Sequence, residues 1–294
     1  MQSAVNFLLV LLLAGFCAAK TVFQGKIGKD VLSTSAAVLL FNSGYFLVAA
    51  LCMAVDHFVD GSTISRETVF YGALFGVVSV LFQFASTCAM RYGPVSLTVL
   101  IVNLSCAIPI IVGIAVWKET PSPWFFPGLA LMLAALIFSS DLHDLHIPQP
   151  KRWFLFVALA FCCSGVLNII QKLHQFTPAA KERSAFVMVA YALSTMVALG
   201  ASAVLAKQYR FPRHMWKLNL LLPTAVVGVI LCLYQKLCLV MASRMGGSVL
   251  YPMLNGMTLV ACTLVGVLLF KDPFRHRQKL CVLCGIGAVV LLSI

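Results

Sequence analysis

Apolar runs separated by short polar breaks repeat along the whole chain, and they predict ten helices with little between them. By position the runs are 4–23, 33–55, 68–90, 94–117, 124–140, 153–171, 185–206, 217–241, 248–270 and 278–294. Most are about 20 residues long, enough for an α-helix to cross the ~30 Å hydrocarbon core of a bilayer. The breaks carry helix-stopping residues: Gly61-Ser62, Gly93-Pro94, Pro121 with Pro123, Pro148 with Pro150, Pro178, Pro212, Gly246-Gly247 and Pro273. In lipid each spanning segment has to satisfy its own backbone hydrogen bonds, so a helix bundle follows. The first run resembles a signal peptide in its small-residue end, but it lacks a basic leader and continues to about Phe23. It is expected to stay as the first span.

The runs repeat in a second sense. Arg91-Tyr92-Gly93 after the third span matches Arg244-Met245-Gly246 after the eighth. Val112-Gly113 matches Val265-Gly266 and Lys118-Glu119 matches Lys271-Asp272 at the same offset. Gln83 falls opposite Gln235-Lys236 and Asn103 opposite Asn255, each within one position. Phe16-Cys17 and Phe161-Cys162 mark the first and sixth spans, each followed by a glutamine, Gln24 and Gln171. Two homologous halves, 1–147 and 148–294, are therefore expected within one membrane domain. Five spans per half is odd, so the halves would cross the membrane in opposite directions. The expected fold is all-α, with ten transmembrane helices in two inverted five-helix repeats around a central cavity.

Composition agrees. Of 294 residues 61% are hydrophobic and 10% charged, and the mean hydropathy is +0.99; soluble domains carry roughly a quarter charged residues. The net charge of +12 does not point to nucleic acid, because the basic residues sit between apolar runs, where they orient helices. Loops on the side of the termini carry Arg66, Lys118, Lys172, Lys181, Arg183 and Arg244, six against thirteen on the other side. The positive-inside rule then places both termini outside. The eleven cysteines lie almost all inside apolar runs, where they act as small hydrophobes; Cys281 and Cys284 form a CxxC within the last helix and lack a second ligand pair.

Arg91-Tyr92-Gly93-Pro94 through Glu119 and Pro121, and Arg244-Met245-Gly246-Gly247 through Asp272, Pro273 and Gly285-Ile286-Gly287-Ala288, resemble the repeat of the drug/metabolite transporter superfamily, EamA-like branch. The second half departs from it in carrying Asp272 where that family shows Glu. The resemblance implies ten helices, a cavity lined by the first, third, fourth, sixth, eighth and ninth spans, and a solute among amino acids, other metabolites and drugs. It also implies cytoplasmic termini, against the charge count.

Polar groups at membrane depth are costly unless paired or facing a wet cavity. Lys236, Gln235 and Tyr234 in the eighth span, with Gln83, Asn103, Asn255, Asn168 and Tyr251, are the expected substrate contacts. An ammonium suits an anionic group, and the amides and hydroxyls supply both donors and acceptors. Lys20 and Asn42 are weaker candidates, Lys20 as a lysine snorkelling from a helix end. Gly93, Pro94, Gly246 and Gly247 are expected hinges, and Glu119 and Asp272 gating or structural carboxylates. All nine acidic residues fall at span ends or in loops, which argues against a proton relay on a buried carboxylate. Asp141, His143, Asp144 and His146 could ligate zinc but sit in a linker without supporting groups, so neither metal nor cofactor is expected.

The expected function is a secondary transporter of a small metabolite (amino acid, organic acid or related polar solute) working by alternating access, not an enzyme. It would sit in a plasma membrane, the bacterial inner membrane first, with the solute and the bilayer as partners, no nucleic acid, and a homodimer open as an assembly. The alternative is a membrane-embedded enzyme or helper subunit of a lipid-processing complex, which would need the Asp/His linker.

Overall fold

The structure is a computed structural model that describes residues 8–20, 35–61, 63–93, 95–139, 150–206, 218–270 and 276–293. Among the described residues it is all helical. In chain order the helices are α1 (Leu8–Lys20), α2 (Ser35–Asp60), α3 (Arg66–Tyr92), α4 (Val95–Asn103), α5 (Ala107–Ala115), α6 (Phe125–Ser139), α7 (Lys151–Phe176), α8 (Arg183–Ala206), α9 (Leu218–Arg244), α10 (Gly247–Phe270) and α11 (His276–Ser293). Seven segments are long and apolar enough to cross a membrane, α4 and α5 counting as one, while α1 and α6 are shorter apolar helices. That composition suits a multi-pass membrane protein. Large apolar side chains on the outer faces, among them Phe58, Val59, Leu222 and Met196, are more than two-thirds exposed, as lipid-facing positions would be.

Several expected spans are differently bounded. The fourth, read as one run over 94–117, is broken into α4 and α5 by a 3-10 turn at Leu104–Cys106. Pro109 accounts for the break: it has no N–H for the carbonyl of Ser105, and its ring crowds that carbonyl. Ser105 is held instead by its hydroxyl, which donates to the Ser164 hydroxyl at 2.7 Å. The second run ends at Asp60 rather than 55, and the sixth at Phe176 rather than 171. Both corrections matter for the site, because Asp56, Lys172 and His174 then sit on helices rather than in loops.

Among the described residues two large apolar cores hold the bundle, with a small third one around Trp153. One joins Tyr45 and Phe46 of α2, Phe75 of α3, Phe186 and Tyr191 of α8 and Leu239 of α9. The other joins Leu13 of α1, Ile110 of α5, Met132 of α6, Met241 of α9, Leu250 and Met253 of α10 and Val289 of α11. Each core mixes helices from 1–147 with helices from 148–294, so neither half has a core of its own. α2 packs chiefly on α8, α3 on α7 and α8, and α6 on α11. Close packing rather than hinge freedom explains Gly93. Its φ of −152° is ordinary extended backbone, but a Cβ there would run into the Trp153 ring. That indole is buried and its Nε1–H donates to the Thr98 hydroxyl at 3.0 Å.

Candidate functional site

Near the middle of the helices lies a half-enclosed cavity of about 270 Å³. Its walls come from seven helices: Cys17 and Lys20 of α1, Tyr45 and Phe46 of α2, Phe75, Ser79, Phe82 and Gln83 of α3, Ser164, Leu167, Asn168 and Gln171 of α7, Tyr191 of α8, Leu231, Tyr234, Gln235 and Cys238 of α9, and Tyr251, Leu254 and Asn255 of α10. Six of the eight expected contact residues therefore share one space: Gln83, Asn168, Tyr234, Gln235, Tyr251 and Asn255. Lys236 and Asn103 do not line it.

Hydrogen bonds fix most of the polar wall. Gln83 Nε2 donates to the Tyr45 hydroxyl at 2.9 Å. Tyr251 donates to the carbonyl of Asn168 at 2.6 Å, and Asn255 Nδ2 donates to the carbonyl of Asn103 at 3.0 Å. Asn103 thus contributes its backbone to a bond between α4 and α10, the interhelical role open to polar groups in membrane bundles. The Tyr191 hydroxyl donates to Gln235 Oε1 at 3.4 Å, while Gln235 Nε2 is buried without a hydrogen-bond partner among the described residues.

Lys236 needs a correction. A one-residue step on a helix turns the side chain by about 100°, so Gln235 faces the cavity and Lys236 faces α2. Its ammonium pairs with Asp56 and lies 3.9 Å from Asp60 Oδ2. Asp56 also accepts from the Ser184 hydroxyl of α8. The cation that does reach the cavity is Lys20, the last residue of α1. Sequence reasoning set it aside as an interfacial lysine, and it treated Gln171 only as a marker of the repeat. The missed signal was that both are polar groups within apolar runs, Lys20 in the first span and Gln171 in the sixth.

A second polar assembly gathers at the end of the bundle where α9 gives way to α10. Glu119, four residues past the end of α5, accepts from the backbone N–H of Gly247 at 2.8 Å, the N–H of Ser248 at 2.9 Å and the Ser248 hydroxyl at 2.6 Å. The structure places it on the N-terminus of α10, where the helix dipole favours a carboxylate. Burial alone would push this carboxyl's pKa up, but those three hydrogen bonds and the charge of Lys172 hold it below the ordinary glutamate value. Gly113 and Gly246 together let it in, since a Cβ at either would lie 2.8 Å from Glu119 Oε2.

Lys172 of α7 completes this assembly. It sits 4.0 Å from Glu119 Oε1 and donates to the carbonyls of Ala242 at 2.9 Å and Met245 at 2.6 Å, at the C-terminal end of α9. Nearby, Glu182 accepts from the Thr68 hydroxyl at 2.6 Å and the Ser65 N–H at 2.8 Å, tying the α7–α8 turn to the start of α3. Burial raises its pKa less than these bonds lower it, so it too lies below the ordinary value. Arg183 reaches the Ser243 hydroxyl at 3.1 Å. Of the expected hinge and gating residues, Glu119, Gly246 and Gly247 thus meet in one place and Gly93 packs on Trp153. Pro94 and Asp272 lie outside the described residues, as does the linker with Asp141, His143, Asp144 and His146. No cluster of three metal-ligating side chains occurs among the described residues, and the eleven cysteines remain thiols.

These features define a helical bundle of membrane-spanning type with a polar cavity at its centre and a charged network at one end. No protein-family model matches the chain, and no curated protein matches it. Its fold is nevertheless shared with solved structures. One, the crystal structure of a protein 13% identical, superposes with a TM-score of 0.73 over 99% of this chain and 96% of its own.

Proposed function

We propose that this chain is a secondary transporter that moves a small polar solute through the central cavity by alternating access, in the manner of the EamA-like transporters its sequence resembles. The observation that carries the reading is the cavity itself: a chamber near the middle of apolar helices, with amide and hydroxyl groups set in a mostly apolar wall from α1 to α3 and α7 to α10. A structural bundle has no use for such a chamber, because unfilled polar space at membrane depth costs free energy. Two further features support the inverted repeat. α2 packs on α8 and α6 on α11, and these are the second and fifth spans meeting their counterparts, as a two-fold axis in the membrane plane requires. The Glu119 contact likewise joins the end of the fourth span to the start of the ninth.

In this reading the solute binds among Gln83, Asn168, Tyr234, Gln235, Tyr251 and Asn255, and the network at the α9–α10 turn closes one route to it. Counterflow in proteoliposomes tests the proposal: vesicles loaded with unlabelled solute should accumulate the labelled solute transiently, with no ion gradient applied. Gln83→Leu and Asn255→Leu should abolish accumulation while the protein stays folded. Accumulation that persists in both variants, or that matches empty liposomes for every solute class, overturns it.

A further inference from the structure

We infer that the cavity is built for a solute with one anionic group, a small monocarboxylate, with its negative oxygens toward Lys20 and the amide of Gln235. This inference rests on the transporter reading and names the substrate class of the same site. The charge balance is the first observation. Among the described residues lining the cavity, Lys20 is the single charged side chain and no carboxylate occurs. A monocation would meet the ammonium with nothing to neutralise either charge, and a dianion would bring one negative charge more than the wall can pair.

The donor balance is independent of the charge. Gln235 is 3% exposed, its Oε1 is taken by Tyr191, and its Nε2 has no partner among the described residues. A buried N–H left unmade is expensive, and a carboxylate, which only accepts, satisfies such a donor and suits the ammonium that lines the same cavity. The remaining wall fixes the rest of the molecule. Phe46 stacks on Tyr191 at 5.4 Å and 17°, and with Phe75 and Phe82 it offers an apolar surface; Asn168 and Gln171 offer polar contacts beside it. The volume of about 270 Å³ lies below the ~300–1,000 Å³ of sites that take drug-sized ligands.

The test uses matched triples that share size and shape and differ only in charge, such as nicotinate, nicotinamide and 3-picolylamine, together with short-chain 2-oxo, 2-hydroxy and N-acyl amino acids and their amides. Thermal unfolding of the full chain in detergent is read with each at 10 mM, and counterflow with each in proteoliposomes. At least one carboxylate should raise the Tm and be exchanged where its amide and amine are not. Lys20→Met should weaken that carboxylate at least tenfold and Lys20→Arg should restore most of it. Gln235→Leu should weaken it several-fold with Lys20 intact. Exchange of an amide or amine in preference to its carboxylate overturns the anion assignment and leaves the transporter standing. Preference for a carboxylate that survives Lys20→Met overturns the role of Lys20. No exchange of any compound, neutral sugars and nucleosides included, overturns both.

Discussion

Replacing Glu119 with glutamine keeps the shape of the side chain and removes its charge. The change converts one acceptor oxygen into an NH2 group, and both oxygens now face donors: Oε1 the N–H of Gly247, Oε2 the N–H and hydroxyl of Ser248. Whichever way the amide turns, a backbone N–H at the start of α10 meets another N–H. A buried unsatisfied donor costs ~1–3 kcal/mol, and charge assistance is lost from the remaining bonds at ~1 kcal/mol or less each. With Glu119 only 17% exposed, water makes up little of this, so the loss sums to about 3 kcal/mol. In a chain of this size 1 kcal/mol moves the midpoint by ~2 °C or a little more, so E119Q should lower the Tm by roughly 6 °C at pH 7. The pH dependence supplies a second reading. A carboxyl held below its ordinary value of 4.5 contributes stability that is fully present above that value and lost as pH falls through the depressed folded value. The gap between E119Q and the unaltered protein should therefore be constant from pH 7 to pH 5.5 and close below about pH 4.5. A Tm within ~1 °C of the parent at pH 7, or a gap that widens in acid, would refute the capping role.

Lys172→Met strips the ion pair and both bonds to the α9 carbonyls from a side chain only 7% exposed, and should cost about 3 kcal/mol in the same melt, with little added by combining it with E119Q. Lys236→Met should cost at most ~1 kcal/mol, since the Lys236 and Asp56 side chains are each about one-third exposed, and should leave ligand affinity unchanged; a tenfold loss of affinity would return Lys236 to the cavity. Gly93→Ala, which drives a methyl into the Trp153 ring, should lower stability by ~1–3 kcal/mol, and pairing it with Trp153→Leu should recover part of that. Alkylation of Cys17, which faces the cavity, should be quickened by E119Q from the network side of oriented vesicles and slowed from the other, as resolved by peptide mass spectrometry; equal rates from both sides in both proteins would contradict the gating role.

The apolar runs made the helices legible because a bilayer leaves them few alternatives, and the cavity's amides stood out because polar groups at that depth are rare. Tyr234, Gln235, Asn168 and Gln83 were singled out on that ground, Gln83 and Gln235 also by their place in the repeat, and all four line the cavity. What stayed hidden depended on angle rather than on depth. Lys236 is as deep as Gln235, and only the turn of α9 sends one to Asp56 and the other to the cavity. Glu119 was read as a gating or structural carboxylate, but two of the groups that hold it are backbone N–H groups 128 and 129 positions away, and no pattern of side chains announces a backbone donor. Pro109 was present in the expected fourth span as a visible helix breaker, and its consequence, the turn at Leu104–Cys106, could have been drawn from it directly.

The strength of the network at the α9–α10 turn bears on whether it can serve as a gate. Lys172 holds the carbonyl end of α9 and Glu119 the N–H end of α10, so opposite charges grip the two dipole ends that meet at one turn, and their 4.0 Å approach closes the ring. Five hydrogen bonds are involved, two from Lys172 and three to Glu119. If the turn opens to water each bond is exchanged rather than simply lost, at a net ~1 kcal/mol, or ~5 kcal/mol for the five. Moving a two-state equilibrium from 1:99 to 99:1 takes ~5.5 kcal/mol. In the proposed transport cycle, a network of this size would keep one end shut in the empty protein, and a solute with a strong preference for the other state could offset it. A purely apolar seal of the same area would leave the helix-end N–H and C=O groups unsatisfied whenever it closed. The charged form satisfies them when shut and leaves them to water when open, which is the condition for cycling between the two.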